Sequence, residues 1–432
     1  MRVLVLGSGA KDHAIAYWFS KSCYLNALYC APGNLGTSTF AVNLPDVDPA
    51  NASQVYSACI THNIDFVFIG TEAPLFTGVI DYLNERGIAT FGAPLRALKL
   101  EGDRNFARNF TNRHNIPTPG RNLFTSIEEL EVYLNRHKNE PYVLKSNTIT
   151  PSRIMLDSSD TDALVAYAKS LFLRGPVLLE EHCEGVPVTV SILLDNKGYL
   201  VLPITSDYTR SSTSDKTPTG GMGSICPVPL SKNTLDNIIQ DIIEPTLYGM
   251  KVEQLSYKGV LTFSIIVKPD KSPVLVDYHI RFNDPATQAM VPLIKTDIIS
   301  ILDAMQENKV NTITLETSDE STVAVVIASE GYPIAPQTGK EVENLPMLLE
   351  YNYCADLPFL FTGAVKQTEN GKGVTTGGRC FTIVGKSDNI IQANKNAYSV
   401  APLIKFDGAW YREDIGEKFF EKNSTPSADF VK

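Results

Sequence analysis

The apolar and polar residues near the start of the chain alternate between strand-like and helix-like patterns. Residues 2–7 (RVLVLG) form a short apolar run bounded by glycine, which is typical of a buried strand. The next segment has apolar residues at helical spacing, and residues 64–70 (IDFVFIG) form another apolar run before a helix-like segment that stops near Gly87. Strands and helices that alternate in this way predict a parallel, doubly wound sheet of the Rossmann-like type.

The middle of the chain follows a different pattern, in which apolar runs meet across short turns. Strand-like runs at 141–145 and 176–181 precede two segments with hairpin signals. One hairpin turn has the sequence D-N-K-G, and the other lies at residues 270–272. We therefore expect antiparallel sheet with flanking helices in this region.

These patterns predict an α/β protein with several domains. We expect a Rossmann-like N-terminal domain (1–103), a larger body (104–320) that contains a smaller lid (about 118–185), and a small β-rich C-terminal domain (321–421). The polar residues 422–432 are expected to form a tail.

Composition and charge narrow the class of protein. The 432 residues carry a formal net charge of −10, so we expect no nucleic-acid partner and no membrane partner. The seven cysteines are widely spaced and include no C-x-x-C pair, which argues against a disulfide framework or a zinc ribbon. The first apolar run is too short for a signal peptide or a membrane span, so we expect a cytoplasmic protein.

Two glycine-rich segments are candidates for ligand contact. The turn GSGAKDH, which includes Gly9, could bring backbone N–H groups to a phosphate or a carboxylate, or it could be a plain tight turn. Asp12 stands where a dinucleotide-binding motif has its third glycine, which argues against a dinucleotide. Residues 217–227 (TPTGGMGSICP) carry three glycines in four positions, so we expect a loop there, lying against a ligand or another backbone segment.

Charged residues at strand ends are candidates for nucleotide chemistry. Asp277 and His279 would project from one face of a strand and could hold one Mg²⁺ that bridges nucleotide phosphates. Arg281 follows on that face, and Lys145 closes an earlier strand, so both could neutralise phosphate oxygens. The acidic run VLLEEHCEG could present backbone groups to a purine. For each of these residues a solvated polar surface is the alternative interpretation.

Nine segments in the same order resemble the phosphoribosylamine–glycine ligase family of the ATP-grasp superfamily. They are VLVLGSGAKDHA, APGNLGT, IGTEAPL, LEGDRNFARNF, TGGMG, RFNDPATQ, ASEGYP, TGGR and YREDIG. The resemblance covers nearly the whole chain. It implies ATP-grasp domains in the body, after the Rossmann-like domain and before the C-terminal one.

The resemblance also implies a reaction. ATP, with Mg²⁺ or Mn²⁺, would phosphorylate the carboxylate of glycine, and the amine of 5-phosphoribosylamine would attack the glycyl phosphate. The products would be glycinamide ribonucleotide, ADP and phosphate, a step of purine biosynthesis. Such chemistry needs cations around the transferring phosphoryl group and a site closed to water. We expect a monomer or weak dimer that acts only on these small molecules.

The resemblance further implies roles for individual residues. The metal ligands would be Asp277 and His279. The catalytic residues would be Arg281, Asp284, Gly221 and Gly223. The nucleotide-binding residues would be Arg104, Lys145, Arg153 and the hinge residues Glu180, Glu181, His182 and Cys183. The substrate-binding residues would be Gly9, Asn34, Glu72, Asp207 and Arg210.

Three departures from the family pattern affect the nucleotide site. The segment KSNTITPSRIML has no glycine where the family has a glycine-rich loop, and Pro187 replaces an acid expected to hold the ribose hydroxyls. Asp277 and His279 stand in place of Glu and Asn, which favours Mn²⁺ over Mg²⁺. Two hypotheses therefore stay open beside a working ligase. One is a weak or inactive relative that acts as a binding or regulatory protein, and the other is a carboxylate–amine ligase with another substrate pair.

Overall fold

The computed structural model describes residues 1–147, 155–213, 217–350, 358–420 and 430–431. The strands in these ranges are β1 (Arg2–Gly7), β2 (Ala27–Pro32), β3 (Val42–Asn43), β4 (Phe66–Ile69), β5 (Ala89–Phe91), β6 (Arg121–Phe124), β7 (Tyr142–Ser146), β8 (Met155–Ser158), β9 (Val177–Glu181), β10 (Val186–Leu194), β11 (Tyr199–Val201), β12 (Ser206–Arg210), β13 (Pro218–Cys226), β14 (Leu230–Ser231), β15 (Gly259–Val267), β16 (Pro273–His279), β17 (Ser321–Ser329), β18 (Glu341–Val342), β19 (Phe359–Thr362), β20 (Val365–Gln367), β21 (Gly373–Thr375), β22 (Arg379–Ser387), β23 (Ala409–Trp410) and β24 (Phe430–Val431).

The α-helices in the same ranges connect and cover the strands. They are α1 (Ala10–Ser20), α2 (Ala52–Thr61), α3 (Ala73–Phe76), α4 (Val79–Asn84), α5 (Lys99–Gly102), α6 (Arg104–Arg113), α7 (Ile127–Arg136), α8 (Thr161–Phe172), α9 (Lys232–Ile238), α10 (Glu244–Val252), α11 (Ala286–Met290), α12 (Ile298–Gln306), α13 (Leu345–Glu350) and α14 (Ile390–Val400).

The N-terminal residues form a five-stranded parallel sheet in the order β3-β2-β1-β4-β5. β1 pairs in parallel with both β2 and β4, and its residues Val3 to Gly7 are buried. A strand in the centre of a parallel sheet is covered on both faces, which explains its continuous apolar run. Gly87 follows α4 with a φ of 78°, in the left-handed region that favours glycine at a helix end. The predicted doubly wound sheet is confirmed.

The middle of the chain contains two antiparallel sheets. The lid sheet has the order β6-β9-β7-β8, and the body sheet has the order β11-β10-β15-β16. Helices α7 and α8 pack on the lid sheet around a small apolar core that includes Leu130, Leu144 and Leu164. The hairpins β10–β11 and β15–β16 turn at the two predicted positions. Antiparallel sheet with flanking helices is therefore confirmed for this region.

A fourth sheet, the C-terminal sheet, joins segments from the middle and from the C-terminal part of the chain. It has the order β12-β13-β17-β22-β19, with β23 added to β17. The glycine-rich segment 217–227, for which we expected a loop, lies in this sheet as β13, so that expectation was wrong. Pairing on both sides overrides the weak strand preference of glycine, since Gly223 lies opposite Tyr208 on β12 and Val325 on β17. Pairing with the preceding strand β12 and with the distant strand β17 therefore makes this segment a strand.

Apolar packing connects the N-terminal, middle and C-terminal regions. One cluster of buried side chains includes Leu4 of β1, Leu261 of β15 and Val325 of β17. The lid has its own smaller cluster. None of the helices in the described ranges has both the length and the apolar character needed to cross a bilayer.

Candidate active site

A deep cleft of about 1640 Å³ lies where the N-terminal sheet, the body sheet and the C-terminal sheet meet. The loops after β1 and β4 contribute one wall, β16 and the residues after it form the floor, and the start of β22 lines the far side. Ligands of open parallel sheets bind at the carboxyl ends of the strands, and this wall of the cleft lies at those ends of β1 and β4. Eight of the residues that the sequence singles out line the cleft: Gly9, Asn34, Glu72, Arg104, Asp277, His279, Arg281 and Asp284.

The turn after β1 is held together by the side chain of Asp12. This carboxylate accepts a hydrogen bond from the backbone N–H of Gly9 at 2.8 Å. Burial raises the pKa of Asp12 to about 6, although the neighbouring Lys11 opposes the shift. A Cβ on Gly7 would lie 2.2 Å from the Asp12 carboxyl, so the backbone approaches this carboxyl as closely as glycine permits. Asp12, in the first turn of α1, thus caps the start of its own helix.

Asn34 connects this turn to the C-terminal sheet. Its side-chain amide donates to the carbonyl oxygens of Ser8 at 2.9 Å and Thr362 at 2.6 Å. The side-chain oxygen of Asn34 accepts from the backbone N–H of Thr37 at 3.0 Å. The structure thus uses this residue to hold two walls of the cleft together.

A buried carboxylate, Glu101, organises the floor of the cleft. It accepts from Nδ1 of His279 at 3.1 Å and from the backbone N–H of Ile280 at 2.9 Å. Arg281 lies 3.1 Å from Glu101 and 2.7 Å from Glu72, which reaches over from the loop after β4. Burial alone would raise the pKa of Glu101, but Arg281 and His279 outweigh it and lower that pKa to about 2. This network positions the Arg281 guanidinium at the junction of two sheets.

Three cations and two carboxylates form the charge cluster, which consists of Arg104, Arg108, Lys145, Glu180 and Asp277. Glu180 lies 2.5 Å from Arg108 and 2.7 Å from Lys145, and all three side chains are almost completely buried. Asp277 lies farther from its cations, at 3.4 Å from Lys145, 3.8 Å from Arg104 and 4.0 Å from Arg108. The predicted nucleotide residues Arg104, Lys145 and Glu180 and the predicted metal residue Asp277 thus lie together.

The predicted metal ligands already have protein partners. Asp277 faces the three cations of the charge cluster, and they lower the pKa of its carboxyl although burial by itself would raise it. His279 contacts Glu101 through Nδ1, and its Nε2 lies 3.1 Å from the hydroxyl of Ser264. The described part of the chain contains no group of three or more His, Cys, Asp or Glu residues that could hold a metal ion. The donor set present here is therefore not that of a protein-built divalent cation site.

Arg379 fastens the glycine-rich strand β13 to the cleft. It lies 3.0 Å from the carboxylate of Asp284 and donates to the carbonyl oxygen of Gly220 at 2.7 Å. The hydroxyl of Tyr332 accepts from the N–H of Gly220 at 2.8 Å. Gly221 has a φ of 114°, and a Cβ there would lie 2.4 Å from the carbonyl oxygen of Asp284. Only glycine allows this backbone contact beside the cleft.

The remaining predicted residues lie apart from the lining of the cleft. The Asp207 carboxylate accepts from the hydroxyls of Thr189 and Ser224, at 2.9 Å and 2.7 Å, within the sheets. Gly223 is buried in β13, where a Cβ would lie 2.5 Å from Ile415. Both residues serve packing and pairing in this structure. Arg153 lies outside the described residues.

The hinge residues after β9 contact the lid rather than the cleft. Glu181 and His182 donate their backbone N–H groups to the carbonyl oxygens of Gly120 and Pro141. His182 also lies 3.0 Å from Asp157, which in turn lies 3.1 Å from Arg210 of β12. Neither Glu181, His182 nor Cys183 is among the described residues that line the cleft. Asp157 thus links the lid to the C-terminal sheet.

Sequence reasoning did not single out four important residues, namely Lys11, Glu101, Arg108 and Arg379. A signal existed for Arg108, because it stands four residues after Arg104 and so shares its face of α6. Glu101 and Arg379 lie within the segments LEGDRNFARNF and TGGR, which carry the family resemblance. Their partners are far away in the chain, so no local pattern identifies their roles.

Comparisons with known proteins agree over most of the chain. The sequence matches the N domain of phosphoribosylglycinamide synthetase over residues 1–101, its ATP-grasp (A) domain over 102–287 and its C domain over 322–418. A phosphoribosylamine–glycine ligase from Caldanaerobacter subterraneus subsp. tengcongensis is 32% identical, with 96% of this chain and 99% of that protein aligned. One from Neisseria meningitidis serogroup B is 29% identical over 97% of this chain and 99% of that protein.

Solved structures show the same relationship. The crystal structure of phosphoribosylamine–glycine ligase from Thermotoga maritima has a TM-score of 0.79 and 27% identity, and it covers 96% of this chain and 100% of that one. The biotin carboxylase domain of Hydrogenobacter thermophilus 2-oxoglutarate carboxylase, with a TM-score of 0.67 at 14% identity, shares the fold over 95% of this chain and 91% of that one. The chain therefore belongs to the phosphoribosylglycinamide synthetase family, also called the phosphoribosylamine–glycine ligases.

Proposed function

We propose that this protein is an ATP-dependent carbon–nitrogen ligase that joins glycine to 5-phosphoribosylamine. The observation that carries the proposal is the cleft, which is lined by Arg104, Asp277, Arg281 and Asp284, in a chain that the family models match over residues 1–287 and 322–418. Full-length similarity to proteins named as ligases favours turnover over a role as a binding protein.

The nucleotide phosphates would bind at the charge cluster. Arg104 lines the cleft, and its guanidinium donates to the carbonyl oxygen of Ser146 at 2.6 Å, which fixes its position. Arg108 also lines the cleft, and the buried Lys145 adds a further positive charge. Preorganised cations stabilise the charge that develops on a transferring phosphoryl group, because they need no rearrangement during the reaction.

The acceptor substrates would bind at the floor and the N-terminal wall. Arg281 is the cation best placed for a carboxylate or a phosphate there, since its side chain is mostly buried and held by Glu72 and Glu101. Lys11 donates to the carbonyl oxygen of Phe282 at 3.1 Å in the same wall. An acyl phosphate formed between Arg104 and Arg281 would meet the attacking amine within the same cleft, which holds the two reactants close together.

ATP-grasp enzymes use ATP and divalent metal ions, and the Hydrogenobacter thermophilus structure named above contains magnesium ADP. In this chain the described residues supply cations for the phosphates but no ready set of metal ligands. A divalent ion would have to be held mainly by the nucleotide itself. We therefore assign no catalytic step to a protein-bound metal.

The test is an assay of ADP release with ATP, glycine and freshly generated 5-phosphoribosylamine, in buffers with Mg²⁺, with Mn²⁺ or with chelator. We expect ADP release that requires both substrates and matches the amide product measured by mass spectrometry. Arg281→Gln should lower kcat/KM by about 100-fold or more, since one preorganised donor is lost. Arg86→Gln, a change at a surface arginine stacked on Tyr82, is the matched control and should leave kcat/KM unchanged. Absence of substrate-dependent ADP release in all three buffers would refute the proposal.

A further inference from the structure

The two carboxylates of the charge cluster differ in how tightly they hold the cations. Glu180 makes contacts of 2.5 Å and 2.7 Å, and its side chain is 2% exposed. Asp277 makes contacts of 3.4 Å to 4.0 Å, and its side chain is 19% exposed. Short contacts without water make Glu180 a fixed partner, whereas longer contacts beside solvent make Asp277 an exchangeable one.

The charge balance of the cluster leaves room for an additional anion. Arg104, Arg108 and Lys145 carry three positive charges against the two negative charges of Glu180 and Asp277. If Asp277 moved away, the cations would exceed the remaining carboxylate by two charges. A nucleotide phosphate chain could replace Asp277, because its oxygens are also acceptors for arginine and lysine.

A divalent cation fits this position poorly. Bound to the Asp277 oxygens, it would lie close to three cations that are themselves within 3.4 Å to 4.0 Å of those oxygens. Like charges at such distances repel each other, and the repulsion is stronger in a partly buried site than in water. An arriving phosphate chain would neutralise the cations and so lessen this repulsion. The same contacts would satisfy the phosphate oxygens without a metal ion.

We propose that Asp277 is an internal substitute for a nucleotide phosphate, and that the diphosphate of ADP binds to the charge cluster without a divalent metal. The proposal rests on the proposed function for the identity of the ligand as a nucleotide. It concerns binding only, so phosphoryl transfer is measured separately by the assay above. Asp277 competes with the ligand for the cations, and its removal strengthens nucleotide binding.

Calorimetric titration with ADP in a chelating buffer and in a magnesium buffer tests this. We expect the wild-type Kd values in the two buffers to agree within about threefold, since the protein cations and not the metal neutralise the diphosphate. Asp277→Asn should bind ADP at least about threefold more tightly in chelator, because a competing charge is removed at nearly constant shape. Asp270→Asn removes one negative charge from the exposed turn of the same hairpin and should leave the Kd unchanged.

Opposite results separate this inference from the proposed function. Wild-type binding that weakens by more than about threefold in chelator overturns the inference alone, and so does Asp277→Asn that binds ADP no more tightly than the wild type in chelator. Asp277→Asn that binds less tightly in magnesium would identify Asp277 as a metal ligand and would likewise overturn the inference. Absence of ADP binding in both buffers overturns the ATP-dependent ligase as well. Should Asp277→Asn lose its native circular dichroism spectrum, Arg104→Gln provides the second measurement. That variant should lose about fivefold or more in ADP affinity in chelator, and an unchanged Kd would contradict the proposal.

Discussion

Replacement of Glu180 by glutamine should destabilise the protein strongly, although the change keeps the size of the side chain. Glu180 lies on β9 of the lid and contacts Arg108 of α6 and Lys145 of β7, so it connects the lid to the body. Loss of one partner of a buried ion pair costs about 3–5 kcal/mol, because the other charge stays buried without compensation. Here Asp277 remains 3.4 Å from Lys145 and 4.0 Å from Arg108 and compensates in part. We therefore expect a loss of about 3 kcal/mol, at the lower end of this range.

Urea unfolding measures this loss. Far-UV circular dichroism reports the whole chain, and fluorescence reports Trp18 and Trp410, which lie outside the lid. Glu181→Gln is the matched control, since Glu181 is the exposed neighbour of Glu180 on the same strand and its replacement should change stability by no more than about 0.5 kcal/mol. If the two probes report different midpoints, the lid unfolds separately, and the wild type and the variants are compared by the transition of the lid alone.

A double-mutant cycle shows whether the pair itself is responsible. Lys145→Gln in combination with Glu180→Gln should lose less stability than the two single changes together, by about 1–3 kcal/mol, because the second change removes a charge that the first left unpaired. A loss below about 1 kcal/mol for Glu180→Gln, or strict additivity in the cycle, would refute the reasoning that this buried ion pair between β7 and β9 stabilises the folded chain.

Three further predictions concern the pH response and the glycine contact. Glu101 has an ordinary pKa of 4.5 that is lowered to about 2 in the folded protein, so its contribution is complete above about pH 4.5 and is lost as the pH falls towards 2. The free energy of unfolding of Glu101→Gln, measured by urea titration between pH 2 and 5, should depend less on pH than that of the wild type. Burial lowers the pKa of His13 from 6.5 to about 3, so the unfolded chain takes up a proton first and stability falls as the pH drops below 6.5. His13→Gln should flatten this slope between pH 6.5 and 3, and an unchanged slope would show that His13 does not set it. Gly221→Ala would place a Cβ 2.4 Å from the backbone of Asp284 at a φ of 114°, and thermal unfolding should show a larger loss than for Gly87→Ala, which has a φ of 78° but no atom within 4 Å of the added Cβ. Equal losses for the two alanine variants would mean that the backbone angle alone is responsible.

Local patterns were sufficient for the elements whose neighbours lie close in the chain. The apolar run of β1, the helix that follows it and the β15–β16 hairpin around Asp270 all agree with the periodicity of the residues that form them. The alternation of strands and helices likewise predicted the parallel N-terminal sheet. Short-range regularities of this kind depend on burial and turn chemistry, which each segment carries in its own residues.

Much of the candidate site could also be predicted from the sequence, but only as a list of residues and not as a set of contacts. Eight of the predicted residues line one cleft. The contacts between these residues could not be predicted, because the cations that surround Asp277 come from α6 and β7, more than one hundred residues earlier in the chain. Glu101, which orders His279 and Arg281, was missed for the same reason.

Tertiary contacts also reversed one local preference. Residues 217–227 have a composition that disfavours a strand, yet β12 and β17 pair with Pro218–Cys226 on both sides and make it one. Tertiary contacts also decide the role of a charged residue. A carboxylate such as Asp277 can be a metal ligand or the partner of three cations, depending on which residues pack against it. Periodicity and turn residues act between neighbours along the chain, whereas ion pairing and sheet pairing depend on distances in space that only the folded chain establishes.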